Sequence, residues 1–234
     1  MVLHKEQSWR GAPDWLPDDT EESVVGTEWH QEAIWGLADM LREVVERRDV
    51  TWGVCEHVEL AGLQRQDGHP YAPRPDVMVL RRQIPGNLAG TSLVEAGPPL
   101  FVAEIASTTT VRGDREGKRV AYAAVGIPEY LIYDPDGAIL GTPIEAWRLS
   151  TPRATAYAPW TPEPDGLWHS GVLDVAFRAD QPLLGVRDRD GALIESSPMA
   201  RRALRATRDE LRVERAARRA LEEQLRQLRE QRGG

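Results

Sequence analysis

Two apolar runs with a helical stretch between them leave few folds open to this chain. The runs are LFVAEI at 100–105 and EYLIYDP at 129–135. Between them, helical spacing predicts a helix over about 115–125, with Asp114 as its capping residue. A strand, a helix and a second strand over this distance form a βαβ unit, whose two strands are parallel.

Elements on either side of this unit add one long helix and further strands. Residues 27–48 repeat apolar side chains at helical spacing. The stripe consists of Ile34, Leu37, Leu41, Val44 and Val45. Extending it back by one turn predicts that His30 faces inward. Segments 52–60 and 74–80 are predicted strands, and 138–178 is predicted to add more β structure. The fold class is therefore α/β or α+β with a mixed sheet.

A buried acid and a rare lysine stand out inside the βαβ unit. Glu104 lies in a run that otherwise has the composition of a buried strand, and burying a carboxylate is costly without compensation. Lys118 lies on the inward face of the predicted helix, together with Tyr122. Lysine occurs at only two positions, Lys5 and Lys118, among 29 basic residues. Because buried lysine can change its protonation state and arginine cannot, Lys118 is a candidate functional residue.

A second acid is expected beside Glu104. If strands 75–80 and 100–105 run antiparallel, Asp76 at the start of the first meets Glu104 near the end of the second. A divalent cation would offset the repulsion between two such carboxylates, and oxygen ligands of this kind suit Mg²⁺ or Mn²⁺. Two acids and a lysine are the minimum set for metal-assisted hydrolysis of a phosphodiester bond.

The segments RPDVMVL, PLFVAEIAS and GDREGKRVAYAAVGIPEYLIYDP resemble the Uma-type putative restriction endonucleases, a branch of the PD-(D/E)XK nuclease superfamily. The resemblance covers about 24–180. It implies a restriction-endonuclease-like mixed sheet flanked by helices, Mg²⁺ as the cofactor, and DNA as the substrate.

The same resemblance assigns roles residue by residue. Asp76 matches the aspartate of the PD motif, and Glu104 matches the acid of the (D/E)XK strand. The position two residues after Glu104 is Ala106 where the superfamily pattern has lysine. Lys118 matches the lysine that this branch carries on the following helix, with Tyr122 one turn later. His30 matches a histidine of the family's first helix.

Weaker candidates surround this set. Gln31 and Glu28 lie beside His30 in the sequence and are possible supporting residues. The other histidines have no metal-ligand spacing, so they are interpreted as surface or hydrogen-bonded residues; they are His4, His57, His69 and His169.

Composition excludes several classes of protein. The single cysteine, Cys55, excludes an intramolecular disulfide and a cysteine-rich zinc site. No apolar stretch approaches the roughly 18 residues that a membrane span needs, and the first residues lack an apolar signal core. These features predict a cytoplasmic protein. Residues 1–199 carry 18 basic against 31 acidic residues, and this excess of negative charge argues against strong non-specific binding of nucleic acid by the body of the chain.

Three segments are expected along the chain. They are an extended arm at 1–22, a nuclease domain at 23–196 and an arginine-rich helical tail at 197–234. In the tail a leucine stripe predicts an interrupted coiled coil, and hence a homodimer through the core and the tail. The stripe consists of Leu204, Leu211, Leu221, Leu225 and Leu228.

Three functions fit these observations. The first is a metal-dependent endonuclease that acts on DNA. The second is a catalytically inactive nuclease-fold module that binds nucleic acid or a protein partner. The third is an assembly protein in which the arginine-rich coil carries the function. The complete set of Asp76, Glu104 and Lys118 favours the first.

Overall fold

The parallel strand pair predicted from the sequence forms the centre of a six-stranded sheet in the computed structural model. The structure describes residues 9–12, 28–65, 67–83, 90–92, 96–135, 137–180 and 183–195. The fold is mixed α+β, with several sheets and few helices. The predicted coiled coil at 197–234 lies outside the described residues.

Strands outnumber helices in the described ranges. In chain order the strands are β1 (Trp9–Ala12), β2 (Gly53–Glu56), β3 (Glu59–Ala61), β4 (Leu63–Arg65), β5 (Pro70–Tyr71), β6 (Val77–Leu80), β7 (Gly90–Ser92), β8 (Phe101–Ile105), β9 (Glu129–Tyr133), β10 (Ile144–Leu149), β11 (Tyr157–Pro159), β12 (Trp168–Ser170), β13 (Val175–Asp180) and β14 (Leu183–Arg187). The α-helices are α1 (Glu28–Arg48) and α2 (Arg119–Ala124). A π-helical segment, Gly113–Lys118, leads directly into α2.

The central sheet has the strand order β11-β10-β9-β8-β6-β2. Strands β8 and β9 are parallel, as expected for a βαβ unit, and the other neighbouring pairs are antiparallel. Smaller sheets surround it, in the orders β12-β13-β14, β1-β4-β5 and β3-β7. The mixed sheet predicted from the sequence is therefore present.

The central strands are apolar on both faces because the sheet is covered on both sides. On one face, Val79, Phe101 and Leu131 belong to a core that α1 and the β12-β13-β14 sheet complete. On the other face, Met78 and Val102 pack with Tyr122 of α2. Side chains alternate between faces along a strand, so Glu104 lies on the same face as α2.

Helix α1 confirms the predicted stripe. Residues Ile34, Leu37 and Leu41 are buried against the sheet, and arginines at 47 and 48 occupy the last turn. His30 is also buried, in the first turn of the helix, as the extended stripe predicts. This packing fixes the first turn of α1 against the core and so determines where His30 lies.

Two sequence predictions were wrong in detail. The predicted strand 52–60 is divided into β2 and β3, because His57 adopts a left-handed backbone conformation with φ of 50°. Such a residue cannot continue a strand. The predicted strand 74–80 is shorter and begins at Val77, so Asp76 directly precedes β6.

The predicted helix start was also wrong. Asp114 was expected to cap a helix over 115–125, but it lies inside the π-helical segment with its own backbone N–H bonded to the Thr110 carbonyl at 3.0 Å. Its side chain is 1% exposed and points into the protein. The α-helix proper begins at Arg119.

The N-terminal region contributes a strand to the domain. Within the segment predicted as an extended arm, β1 pairs in parallel with β4. Of the helices in the described ranges, none is long and apolar enough to cross a membrane.

Candidate functional site

Strand register brings the two predicted acids together. Strands β6 and β8 are antiparallel, with Val77 opposite Ala103, so Asp76 lies level with Glu104. The backbone N–H of Asp76 donates to Glu104 Oε2 at 3.3 Å. The backbone N–H of Ile105 donates to Asp76 Oδ2 at 2.7 Å. These reciprocal bonds hold both carboxylates at one end of the sheet, where the parallel strand β8 has its carboxyl end.

Glu104 is buried but well supplied with donors. Its side chain is 3% exposed, and Oε1 accepts from Lys118 Nζ at 3.1 Å and from the Tyr122 hydroxyl at 3.1 Å. A buried carboxylate needs such partners, because an uncompensated charge in the core costs several kcal/mol. Lys118 and Tyr122, one turn apart on the inward face of the helical segment, therefore both contact Glu104 on the preceding strand.

Lys118 has a second carboxylate partner. Its Nζ lies 3.1 Å from Asp114 Oδ1, one turn earlier in the π-helical segment. Burial raises the pKa of the Asp114 carboxyl above its ordinary value, while Lys118 and a hydrogen bond from Thr110 act in the opposite direction. The ammonium group of Lys118 is therefore held between two acids rather than pointing into solvent.

Sequence reasoning missed Asp114 as a member of this group. It was interpreted as a helix cap, because an aspartate just before a predicted helix is a common cap. A signal was nevertheless present. Asp114, Lys118 and Tyr122 follow one another at intervals of four residues, which places them on one helical face.

Two histidines lie on either side of Asp76. His30 Nε2 is 3.7 Å from Asp76 Oδ2, and His57 Nδ1 is 3.7 Å from Asp76 Oδ1. His30 was predicted to face this cleft. His57 was interpreted as a surface or hydrogen-bonded residue, because nothing in the local sequence connects it with Asp76. Only the break between β2 and β3 turns it toward the acid.

The remaining supporting candidates lie on α1. Gln31 follows His30 and is half-buried, and Glu28 is the first residue of the helix. The side chain of Glu28 lies outside the described part of the structure. The candidate site, as used below, consists of Asp76, Glu104, Asp114, Lys118 and Tyr122, with His30 and His57 beside it.

The donor atoms fit a divalent cation held by few protein ligands. Across the described ranges, no three His, Cys, Asp or Glu side chains lie close enough to enclose a metal ion. Mg²⁺ is often held by only one or two carboxylates while it keeps waters and takes phosphate oxygens. Asp76 is the more accessible acid, with a side chain 14% exposed. The pair of Asp76 and Glu104 therefore suits an ion that shares its coordination with a substrate.

Two other buried acids, Glu129 and Asp134, form hydrogen bonds with loops next to the central sheet. Glu129, at the start of β9, accepts from the Ser170 hydroxyl at 2.5 Å and from the Gly171 N–H at 3.0 Å. Asp134, just after β9, accepts from the N–H groups of Ile139 and Leu140. Both acids tie a loop to the end of a strand.

A cavity lies at the end of the sheet opposite to Glu104. It is lined by Arg81, Leu100, Val125, Pro128 and Arg153, among others. Leu100 and Pro128 precede the parallel strands, so this cavity lies at their amino ends. Glu104 lies near the carboxyl end of β8, which is the end where ligands bind in open sheets with parallel strands.

Comparison with known proteins gives a match to one protein family and similarity to solved structures. A family profile, Uma2, described as putative restriction endonuclease, matches residues 21–167. Among solved structures, a putative nuclease belonging to DUF820 from Anabaena variabilis ATCC 29413 is similar, with 17% sequence identity and a TM-score of 0.41. That similarity covers 63% of this chain and 75% of the other. The search of curated proteins gave no match.

Proposed function

The chain belongs to the Uma2 family of putative restriction endonucleases, and on this basis we propose that it is a metal-dependent endonuclease that hydrolyses phosphodiester bonds in DNA. The observation that carries the proposal is the meeting of Asp76, Glu104 and Lys118 at one end of the sheet. All three residues lie within the matched segment 21–167.

Asp76 and Glu104 are the residues proposed to hold the metal ion. Each has an oxygen committed to a neighbouring backbone N–H, which fixes its orientation. A bound Mg²⁺ or Mn²⁺ would polarise the phosphoryl oxygen and lower the pKa of a water. Because Glu104 Oε1 is occupied by Lys118 and Tyr122, Oε2 is the oxygen of Glu104 that faces Asp76.

Lys118 is proposed to hold the attacking water or the negative charge that develops on the phosphate. Its position is set by Glu104 and Asp114 together, both at 3.1 Å from its ammonium group. The superfamily's usual lysine position is Ala106, which is completely buried in the core beneath α2.

Tyr122 and Asp114 are proposed as positioning residues. The Tyr122 hydroxyl donates to the same oxygen as Lys118 and so limits the rotation of the Glu104 carboxylate. The ring of Tyr122 packs edge-on against Tyr130, with centroids 5.1 Å apart. A carboxylate held in this way keeps its geometry when a charged substrate approaches.

A homodimer would bring two such sites to the two strands of a duplex. We propose that the core and the arginine-rich tail share the interface, from the leucine stripe and the 11 arginines at 200–234. Light scattering on the full-length chain and on a chain ending at Ser197 tests this: two monomers would contradict it.

Cleavage of supercoiled plasmid tests the enzymatic proposal. The wild-type chain is expected to nick DNA with Mg²⁺ or Mn²⁺ and to be inactive with EDTA, and Glu104→Gln is expected to be inactive under all conditions. Equal nicking by the wild type and the folded variant would mean that the activity comes from elsewhere. No nicking by the wild type with either metal, combined with binding of DNA, would favour an inactive nuclease-fold module.

A further inference from the structure

A cavity of about 670 Å³ lies at the amino ends of the parallel strands β8 and β9. Leu100, which lines it, directly precedes β8, and Pro128 directly precedes β9. Because β6 is antiparallel to β8 and β10 is antiparallel to β9, the residues that follow β6 and β10 lie at this same end of the sheet. A cavity of this size is typical of sites that bind small molecules.

The walls of the cavity are aliphatic. Apolar side chains from several segments line it; they are Pro98, Leu100, Val125, Pro128, Leu149 and Val172. Among the described residues of the lining, none has an aromatic ring and none is acidic. A nucleobase would therefore find no ring on which to stack, whereas an aliphatic chain would be removed from water against these walls.

Two exposed arginines line the same cavity. Arg81 directly follows β6, and Arg153 lies in the turn between β10 and β11. They are the charged residues of the described lining. The cavity therefore presents positive charge, although residues 1–199 as a whole carry an excess of acids.

These two arginines differ from the others in their lack of partners. Every other arginine whose side chain the structure describes interacts with a carboxylate, an aromatic ring or another group, as Arg115 does with Glu145. Within the described ranges, Arg81 and Arg153 have no salt bridge, side-chain hydrogen bond or ring contact. Guanidinium groups bind planar carboxylates with two parallel N–H donors. Two such groups beside an apolar cavity therefore favour an anion with an apolar body.

We propose that this cavity binds an aliphatic carboxylate, with its chain against the apolar walls and its carboxylate at Arg81 and Arg153. The positive charge at these residues complements the head group, and the aliphatic walls complement the chain. The proposal does not depend on the nuclease activity, because the cavity and Glu104 lie at opposite ends of β8.

Calorimetric titration of the full-length protein with straight-chain carboxylates tests both parts of the ligand. Octanoate is expected to bind at one site, and the affinity should rise about 2- to 4-fold for each CH₂ added between butanoate and octanoate. Octan-1-ol lacks the charge and acetate lacks the chain, so each should bind at least about 10-fold more weakly than octanoate. No binding of octanoate, or binding that does not depend on chain length, would contradict the proposal.

Substitution of the arginines tests the head-group contacts. Arg81→Gln and Arg153→Gln should each weaken octanoate binding by about 5-fold, a modest factor because exposed charges are screened by water. Neither should change the affinity for octan-1-ol. Arg178→Gln is the matched control, because Arg178 is an exposed arginine that contacts Asp180 outside the cavity lining. Wild-type affinity for octanoate in both cavity variants would overturn the proposal.

Methyl NMR spectra of the full-length protein test the location of the ligand. Octanoate should shift the methyl signals of Leu149 and Val172, which line the cavity, and leave those of Leu37, in the core beneath α1, unchanged. Shifts confined to methyl groups outside the cavity would place the ligand elsewhere and refute the assignment.

Binding of duplex DNA separates this role from contact with a nucleic-acid substrate. A double variant with Arg81→Gln and Arg153→Gln should bind DNA as the wild type does and lose affinity for octanoate. If it loses affinity for DNA and keeps its affinity for octanoate, the two arginines belong to a nucleic-acid surface and the inference is wrong. The nuclease proposal would stand in either case.

Discussion

Two buried glutamates lie at opposite ends of neighbouring parallel strands and have very different surroundings. Glu104, near the end of β8, is surrounded by ionisable groups: Lys118, Tyr122 and the adjacent Asp76. Glu129, at the start of β9, accepts hydrogen bonds from neutral donors, the Ser170 hydroxyl and the Gly171 N–H, and the charge of Arg148 affects its pKa less than these bonds do. Both side chains are 3% exposed, so burial alone does not distinguish them.

The difference between the two ends shows how a buried acid can be interpreted. The neutral donors at Glu129 fasten the turn after β12 to the start of β9. At Glu104 the charges are mutually dependent, since Lys118 is shared with Asp114 and the acid lies against a second carboxylate. Concentrated, interdependent charges are typical of sites of chemistry. If the two ends also differ in function, substitutions at the Glu104 end should change DNA cleavage and substitutions at the Glu129 end should change stability.

The largest effect is expected at Asp76. Asp76→Asn should lower the rate of metal-dependent DNA cleavage by at least about 10³-fold, because a neutral amide binds a divalent cation poorly. The measurement is plasmid cleavage with Mg²⁺ or Mn²⁺. Asp134→Asn is the control, since Asp134 is a buried aspartate just after β9 whose carboxylate accepts from the turn that follows this strand. A similar loss of cleavage in folded Asp76→Asn and Asp134→Asn would contradict a specific role of Asp76 in metal binding.

A smaller loss of activity is expected at Lys118. Lys118→Arg should lower the cleavage rate by about 10²-fold or more, although it preserves the charge, because guanidinium is bulkier and does not give up a proton. The side chain is 6% exposed and is enclosed by Glu104 and Asp114. Lys5→Arg changes the chain's other lysine and should have wild-type activity. An active Lys118→Arg variant would show that the lysine acts only through its charge.

Substitutions at the Glu129 end of the sheet should change the stability of the protein and not its activity. Ser170→Ala removes a donor to Glu129 and the acceptor of the Leu173 N–H. The free energy of unfolding should fall by about 2 kcal/mol, with the cleavage rate of the folded protein unchanged. Urea titration measures the first quantity and plasmid cleavage the second. Unchanged stability, or a specific loss of cleavage, would argue against a structural role for this end.

The smallest effect concerns pH. Burial raises the pKa of Glu129 above its ordinary value of 4.5, against the opposing hydrogen bond from Ser170. The folded state therefore binds a proton more tightly than the unfolded state. The contribution of Glu129 to stability should decrease as pH rises from about 4.5 through the raised pKa, by at most about 1.4 kcal/mol per pH unit, and then level off.

Urea titrations at a series of pH values check this dependence. Glu129→Gln should show a shallower decrease than the wild type over the same window, because its side chain no longer titrates. Asp114 also has a pKa raised by burial, so part of the slope should persist in Glu129→Gln and decline further with Asp114→Asn. A slope identical to that of the wild type in Glu129→Gln would contradict the assignment.

The sequence predicts the parts of this site that depend on local periodicity. Apolar runs and helical spacing identify β8, β9 and the inward faces of Lys118 and His30. The pairing of Asp76 with Glu104 also follows, because an antiparallel register connects the start of one strand with the end of the next. These features are set within short segments or between adjacent strands.

The positions of Asp114 and His57 could not be predicted, because contacts made in the folded protein override the local sequence preference. The sequence around Asp114 has the pattern of a helix cap, but the tertiary contact with Lys118 places it inside a π-helical turn. His57 approaches Asp76 only because its backbone leaves the strand, and that conformation is stabilised by carbonyls nearly 20 residues away. Periodicity within a short window carries no information about such contacts.

The most direct test of the account compares Glu104→Gln with Glu129→Gln in one assay. Each variant replaces a buried glutamate by an amide of the same shape, and folding is checked by melting temperature. With Mg²⁺ or Mn²⁺, Glu104→Gln should cleave plasmid DNA at least about 10³-fold more slowly than the wild type, and Glu129→Gln should remain within about twofold. Equal loss of cleavage in both folded variants, or full activity in Glu104→Gln, would contradict the account.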